Sequence, residues 1–286
     1  MIFSTPQFTL EGNQALQNTP DPTHGDPYLP FDMVERGTNE TLDGTVYDNL
    51  LQFHGGAHVV LGGTEGSDIL IADLGDDSVW CDGGDDYIIG CHGFNRLHGG
   101  DGDDIIWGGG DPEFIHGEAG DDVIHAGNGL GDLVFAGDGN DFVVAGEDGT
   151  EVFGAQGNDF ILGTPDVDFL LGGEGDDWLE GGEGFDTLAG DNSQLFFNST
   201  VIGHDVMFAG TNENDFDAES GDDIMVQGES VMRNEGMLGF DWVSFQDHTF
   251  GVTTDMNVRI FTNVVNDILR NRFDRVAALS GTQFDD

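Results

Sequence analysis

The chain contains no lysine. Its 286 residues carry seven basic side chains, all arginine, against 56 Asp and Glu, which gives a net charge of −49. Nucleic acids and anionic membranes both need basic surface, so neither is an expected partner. Cysteine is nearly absent. Cys81 and Cys91 are too few for a disulfide framework and fit no zinc spacing, and a packed or exposed free thiol is preferred to a bridge between them. No stretch approaches 18 apolar residues, so no membrane-spanning helix is expected. The opening MIFSTPQFTL lacks a basic region followed by an apolar run, so no ordinary signal peptide is expected. Nucleophile-elbow, zincin and phosphate-loop motifs are missing, so this chain is not expected to be an enzyme. Outward threonine ladders, the mark of an ice-binding face, are missing too.

Glycine is plentiful at 47 residues, and hydrophobic residues reach 37%, with 22 Phe. That is too apolar for a solvated acidic tail. It is also too anionic to compact easily alone, because like charges repel. Such a chain needs cations built into its fold.

Internal repeats supply the place for them. From Gly63 to Ala189 the sequence divides into 14 units of nine, with one extra residue near Gly131. GGDGDDIIW (99–107) and GGEGDDWLE (172–180) show the pattern, and position 8 is aliphatic in all 14 units. The first six residues predict a turn, where Gly permits positive φ and close backbone approach. The last three predict a short strand whose middle side chain points inward. Two units complete a coil of 18 residues. Alternate strands then stack about 4.8 Å apart into two parallel sheets. The expected fold class is all-β, a parallel β-roll solenoid. Its stacked turns bring position-6 carboxylates and backbone carbonyls together, and such hard oxygen ligands suit Ca2+.

The pattern resembles the RTX family, whose calcium-binding nonapeptide is G-G-x-G-x-D-x-U-x. The resemblance covers about half the chain. Odd units place Asp68, Asp86, Asp104, Asp122, Asp141, Asp159 and Asp177 at position 6, with Gly66, Gly84, Gly102, Gly120, Gly139, Gly157 and Gly175 at position 4. Even units place Asp77, Asn95, Glu113, Asp132, Thr150, Asp168 and Asp186 at position 6. Every departure at positions 4 and 6, including Asp111, Asp148 and Asp166 at position 4, falls on the even edge. One calcium column is therefore expected to be complete and the other interrupted, the interrupted edge being either a partner surface or drift. After a poorly fitting stretch at 190–199 the register returns, with Asp205 and Asp223 at position 6 and Asp241 in a degenerate unit. The candidate metal residues are these Asp residues up to Asp223, with the seven position-4 glycines.

Positions 7 and 9 face outward, and on the odd sheet they are strongly apolar, as at Tyr87, Phe142, Phe160 and Trp178. A patch this large implies a cover. The expected cover is the flanks. Residues 1–62 form an N-terminal capping segment with a Pro-rich stretch, followed by the main roll at 63–189 and its interrupted continuation at 190–226. A C-terminal cap at 227–286 is expected to hold an amphipathic helix at about 257–272, with Arg259, Arg270 and Arg272 in it and Arg275 just after. His98 and His116 should be strand neighbours, read as a stacked surface pair before a transition-metal site.

Four further segments, HVVLGGTEGSDILIADLGDD, GEDGTEVFGAQGNDFILG, GMLGFDWVSF and FDRVAALSGTQFDD, resemble the repeat region of large secreted bacterial haem peroxidases of the animal type, some associated with Mn(II) oxidation. No haem domain occurs in these residues, so no catalytic residue carries over. The final GTQFDD reads as the start of another repeat. The resemblances imply a monomeric calcium-binding module, secreted by a type I route, whose partners are calcium ions and other domains of a parent protein. Adhesion through the irregular edge or an aromatic face is the alternative.

Overall fold

The computed structural model describes residues 34–56, 58–191, 203–212, 214–230, 232–249, 252, 254–257 and 271–281. Among them there are strands and turns and no helix. The helix expected at 257–272 falls almost wholly outside the described residues. Its last residue, Arg272, opens a strand, Arg272–Asp274. The chain divides into two compact units, residues 1–134 and 135–286.

In the first unit, strands Val34–Leu42 and Thr45–Phe53 form an antiparallel hairpin. Its two-residue loop, Asp43-Gly44, has φ of 50° and 95°, the mirror-image turn whose twist suits a hairpin. The second hairpin strand pairs in parallel with Asp68–Ile71, Asn49 opposite Asp68. The strands that follow pair in parallel, residue to residue 18 further on, as in Ile69↔Tyr87, Tyr87↔Ile105 and Ile105↔Val123. The even strands stack likewise, as in Val79↔Leu97 and Leu97↔Ile115. Successive strands therefore alternate between two parallel sheets, which is the β-roll.

The second unit repeats the scheme. Phe160 pairs with Phe142 and with Trp178 on one sheet, and Leu170 with Val152 and Leu188 on the other. The spacing then lengthens: Trp178 pairs with Val206 and Leu188 with Phe216, 28 residues on. No coil is skipped. A single unit begins at Gly190-Asp191 and ends at Gly203 to Phe208, and the sequence between these two parts is ten residues longer than the repeat requires. A larger insertion precedes Arg272–Asp274, which pairs with Arg233–Glu235.

The core is position 8. All 14 aliphatic residues from Leu70 to Leu188 are fully buried, followed by Met207, Phe216, Met225 and Val243. Burying one such side chain contributes about 1.5–3 kcal/mol. The core then turns polar. Asn234 occupies position 8, fully buried, and accepts a 2.6 Å bond from the buried Gln227 amide. The turns explain the glycines. Positions 2 and 4 are left-handed, as at Gly100 (φ 121°) and Gly102 (φ 139°), which is why the motif repeats Gly there.

Candidate metal sites in the turns

Position 6 ends each turn and starts each strand, and its side chain is buried although it is a carboxylate. One of its oxygens, Oδ1, accepts the backbone N–H of the position-6 residue one coil earlier. In the first unit Asp68 donates to Asp86 at 2.6 Å, Asp86 to Asp104 at 2.8 Å and Asp104 to Asp122 at 2.8 Å. In the second unit Asp141 donates to Asp159, Asp159 to Asp177, Asp177 to Asp205 and Asp205 to Asp223, all at 2.8–2.9 Å.

The second oxygen, Oδ2, has no hydrogen-bond partner in Asp77, Asp86, Asp104, Asp159, Asp177, Asp186, Asp205, Asp223 or Asp241. A buried carboxylate oxygen with no donor is costly. Beside it lies a cradle that only glycine leaves open. A Cβ on Gly99 would overlap Asp104 Oδ2 and lie 2.7 Å from the Gly117 carbonyl. At Gly172 it would overlap Asp177 Oδ2 and lie 2.7 Å from the Gly190 carbonyl. At Gly181 it would lie 2.7 Å from Asp186 Oδ2 and 3.1 Å from the Ala209 carbonyl. Position-4 carbonyls also stack: a Cβ on Gly120 would strike the Gly102 carbonyl, and one on Gly175 the Gly157 carbonyl.

Burial pushes these carboxyls far from their ordinary range. Asp86 and Asp205 rise to about 9, Asp159 to about 8, and Asp104, Asp177 and Asp186 to about 7. Desolvation is the largest cause in each, and neighbouring carboxylates add to it, as Asp104 and Asp68 do for Asp86. Such a group must be neutralised at neutral pH by a proton or by a cation.

Two sites satisfy themselves. Thr64 occupies position 2, and its amide and hydroxyl donate to Asp68 Oδ2 at 2.7 and 2.9 Å, while Asn49 Nδ2 donates to Asp68 Oδ1 at 2.5 Å. Thr164 does the same to Asp168 Oδ2, at 2.6 and 3.0 Å. Neither threonine takes the left-handed conformation usual at position 2. The repeat pattern alone did not reveal these caps, although Thr in place of the second Gly was the visible signal.

On the even edge the departures have distinct effects. Asn95 Oδ1 still accepts the Asp77 amide at 3.0 Å. Its Nδ2, however, stands 3.0 Å from the Gly90 Cβ position, where other units present carboxylate oxygen. Glu113 is buried, and burial raises its carboxyl to about 9. Thr150 donates its hydroxyl towards the Ala145 and Asp148 carbonyls, at 3.3 and 3.0 Å, consuming acceptors a cation would use. In the second unit Asn214 accepts the Asp186 amide and donates to the Ala209 carbonyl, and Met232 fills position 6 further on. A unit with Asp or Glu at position 6 thus offers one carboxylate there plus carbonyls, and the units of Asn95, Thr150, Asn214 and Met232 offer none at that position. Accordingly, among the described residues no group of three or more His, Cys, Asp and Glu side chains converges as a metal site.

A sequence model of the RTX calcium-binding nonapeptide repeat matches residues 62–90, 93–112, 107–130, 131–149 and 153–188. The repeat region belongs to the RTX nonapeptide-repeat family. No curated protein matches the chain. RTX repeats bind calcium, and the donor set here fits that ion: hard oxygens only, unpartnered carboxylate oxygens in the motif turns, and cradles that a Cβ would fill. The RTX register also accounts for Asp241, whose Oδ2 is unpartnered and whose Oδ1 accepts the Asp223 amide.

Outside the RTX turns, His98 and His116 are strand neighbours with rings stacked 4.8 Å apart, and Trp80 stacks on His98 at 3.6 Å. Glu118 meets His98 Nδ1 at 3.0 Å. Cys81 and Cys91 are free thiols, Cys81 fully buried. Phe142, Trp178, Ile224 and Trp242 of the odd sheet remain 36–44% exposed.

Proposed function

We propose that this chain is a calcium-dependent RTX β-roll that folds when calcium fills its turns. Asp86, Asp104, Asp159, Asp177, Asp205 and Asp223 would supply the main ligands, with the position-1 and position-4 carbonyls beside them. Asp77, Asp122, Asp132, Asp141 and Asp186 would hold further ions. Asp68 and Asp168 would lean on their threonine caps. The observation that carries this reading is the row of buried Oδ2 atoms facing glycine cradles. Bound calcium supplies the missing positive charge, and its binding free energy becomes folding free energy.

RTX repeats occur in proteins exported by type I secretion, and the physics suits that route. At low calcium the carboxylates repel and the chain stays unfolded. At extracellular calcium, where such modules bind at about 10⁻⁴–10⁻³ M, it folds. We propose that the hairpin at 34–53 caps the first coil, and that the parent is a secreted haem peroxidase. A calcium titration followed by circular dichroism should turn a disordered spectrum β-rich, with several ions bound per chain. A fully β-rich spectrum in chelator at neutral pH would overturn the reading.

A partner-binding role has one observation in its favour. Phe142, Phe160, Trp178 and Phe208 form a ladder with ring centroids 4.7–5.9 Å apart, partly exposed. Its test is whether Trp178 fluorescence shifts when other domains of the parent are added.

A further inference from the structure

The RTX motif does not account for Asp191. It is the second residue of the unit that carries the ten-residue insertion, where the motif has glycine. Its side chain is fully buried. Oδ2 accepts the Ser220 amide at 3.0 Å and the Ser220 hydroxyl at 2.5 Å, both from the next coil. Oδ1 has no hydrogen-bond partner, and neither has Oδ2 of the neighbouring Asp205, itself 1% exposed. The two carboxylates converge. The Cβ position on Gly203 lies 2.7 Å from Asp191 Oδ1 and 3.1 Å from Asp205 Oδ1, the oxygen that also accepts the Asp177 amide, and it would overlap the Gly175 carbonyl; the unpartnered Asp205 Oδ2 borders the Gly190 Cβ position instead. Three oxygens from two coils thus surround one point.

We propose that Asp191 is an additional carboxylate ligand of the calcium ion held at Asp205, and that this is the tightest site of the second unit. This rests on the calcium reading above. Elsewhere a motif turn brings one carboxylate; here the same turn brings two. Calcium affinity rises with the charge of its ligands. The placement also has a structural use. Ten extra residues raise the entropic cost of closing the turn. Gly190 and Asp191 lead into the insertion and Gly203 to Asp205 lead out of it, so an ion shared by Asp191 and Asp205 ties its two ends together. Ser220 fixes the Asp191 carboxylate so that Oδ1 faces Asp205 and Gly175.

The test uses the full chain and calcium alone, with ion stoichiometry by equilibrium dialysis and stepwise affinity by calorimetry. Asp191→Asn keeps the shape and removes the charge. It should weaken the tightest binding step roughly tenfold or more, since ligand charge tunes affinity over several decades. The weaker steps should persist. Asp176→Asn, an exposed position-5 aspartate, is the charge-matched control and should titrate like the unaltered chain. If Asp191→Asn does not fold even in excess calcium, Ser220→Ala decides, because it frees the carboxylate while keeping its charge. A weaker first step in Ser220→Ala supports the assignment, and an unchanged one overturns it. An Asp191→Asn chain that titrates like the unaltered one overturns the role of Asp191 alone. An unaltered chain that binds no calcium overturns the calcium reading as well.

Discussion

Gly172→Ala isolates the cradle from the backbone. Gly172 opens a turn of the second unit and does not adopt the left-handed conformation, so alanine suits its φ. The obstacle is space alone. The new Cβ would overlap Asp177 Oδ2 and sit 2.7 Å from the Gly190 carbonyl, where relaxed contacts are about 3.5–4.0 Å. Two losses follow. Overpacking of this kind costs about 1–3 kcal/mol. A site binding at about 10⁻⁴–10⁻³ M, held at roughly 10 mM calcium, contributes RT ln(1 + [L]/Kd), or about 1.4–2.7 kcal/mol, and that would be lost. Together they amount to about 2–6 kcal/mol, and at roughly 2–4 °C per kcal/mol for a fold of this size the melting temperature should fall by about 5–20 °C. The assay is thermal unfolding at saturating calcium, paired with an ion count that should drop by at least one. Gly110→Ala is the control, since nothing lies within 4 Å of its Cβ position and its φ is ordinary. A Gly172→Ala chain with a full ion count and an unchanged melting temperature would refute the cradle.

Acid should partly replace calcium. The buried carboxyls of Asp77, Asp104, Asp159 and Asp205 are raised to between about 6 and 9. Raised folded-state values favour folding at low pH, and that stability is lost as pH rises through them. In chelator the chain should therefore be more β-rich by circular dichroism near about pH 5.5 than near about pH 8; equal spectra would count against these shifts. Thr164→Gly restores the motif and removes the hydroxyl cap of Asp168, so the calcium needed for half-folding should rise. An unchanged titration would mean the cap is not a substitute for an ion. Asp122→Ala should cost bound calcium and Thr150→Ala should not, and equal losses would refute the asymmetry of the two edges.

The roll was legible because its signal is periodic. Fourteen aliphatic residues at position 8 dictate a buried core in each unit, and they are all fully buried. The departures at Asn95, Glu113 and Thr150 stood out for the same reason, since a period exposes its exceptions. What escaped was whatever broke the period. Residues 190–199 read as a gap because the insertion sits inside a turn, so Gly190-Asp191 and Gly203 look unrelated until strand pairing joins Trp178 to Val206. Asp191 was hidden by the same split. The caps at Thr64 and Thr164 escaped because the motif treats position 2 as a glycine, whereas a side chain there reaches the carboxylate once the backbone leaves the left-handed region.

Position 6 serves two functions that chemistry can separate. Its Oδ1 accepts an amide from the preceding coil, and that needs an acceptor but no charge. Its Oδ2 faces the cradle, and that needs a cation. Asn95 shows the separation, because it keeps the 3.0 Å bond from the Asp77 amide while turning a donor towards the cradle. The amide bond to Oδ1 therefore needs no charge at position 6, whereas a carboxylate oxygen facing the cradle does need one to balance it. Asp104→Asn follows directly. It would retain the acceptor for the Asp86 amide and remove a carboxyl that burial raises to about 7. In chelator at neutral pH the variant should be more stable than the unaltered chain, because one buried charge has gone. At saturating calcium it should be less stable, because one ion has lost its ligand. Plots of stability against calcium concentration for the two chains should therefore cross. A variant less stable at every calcium concentration would show that the Asp104 carboxylate contributes to the fold even without the ion, and the separation of the two functions would be wrong.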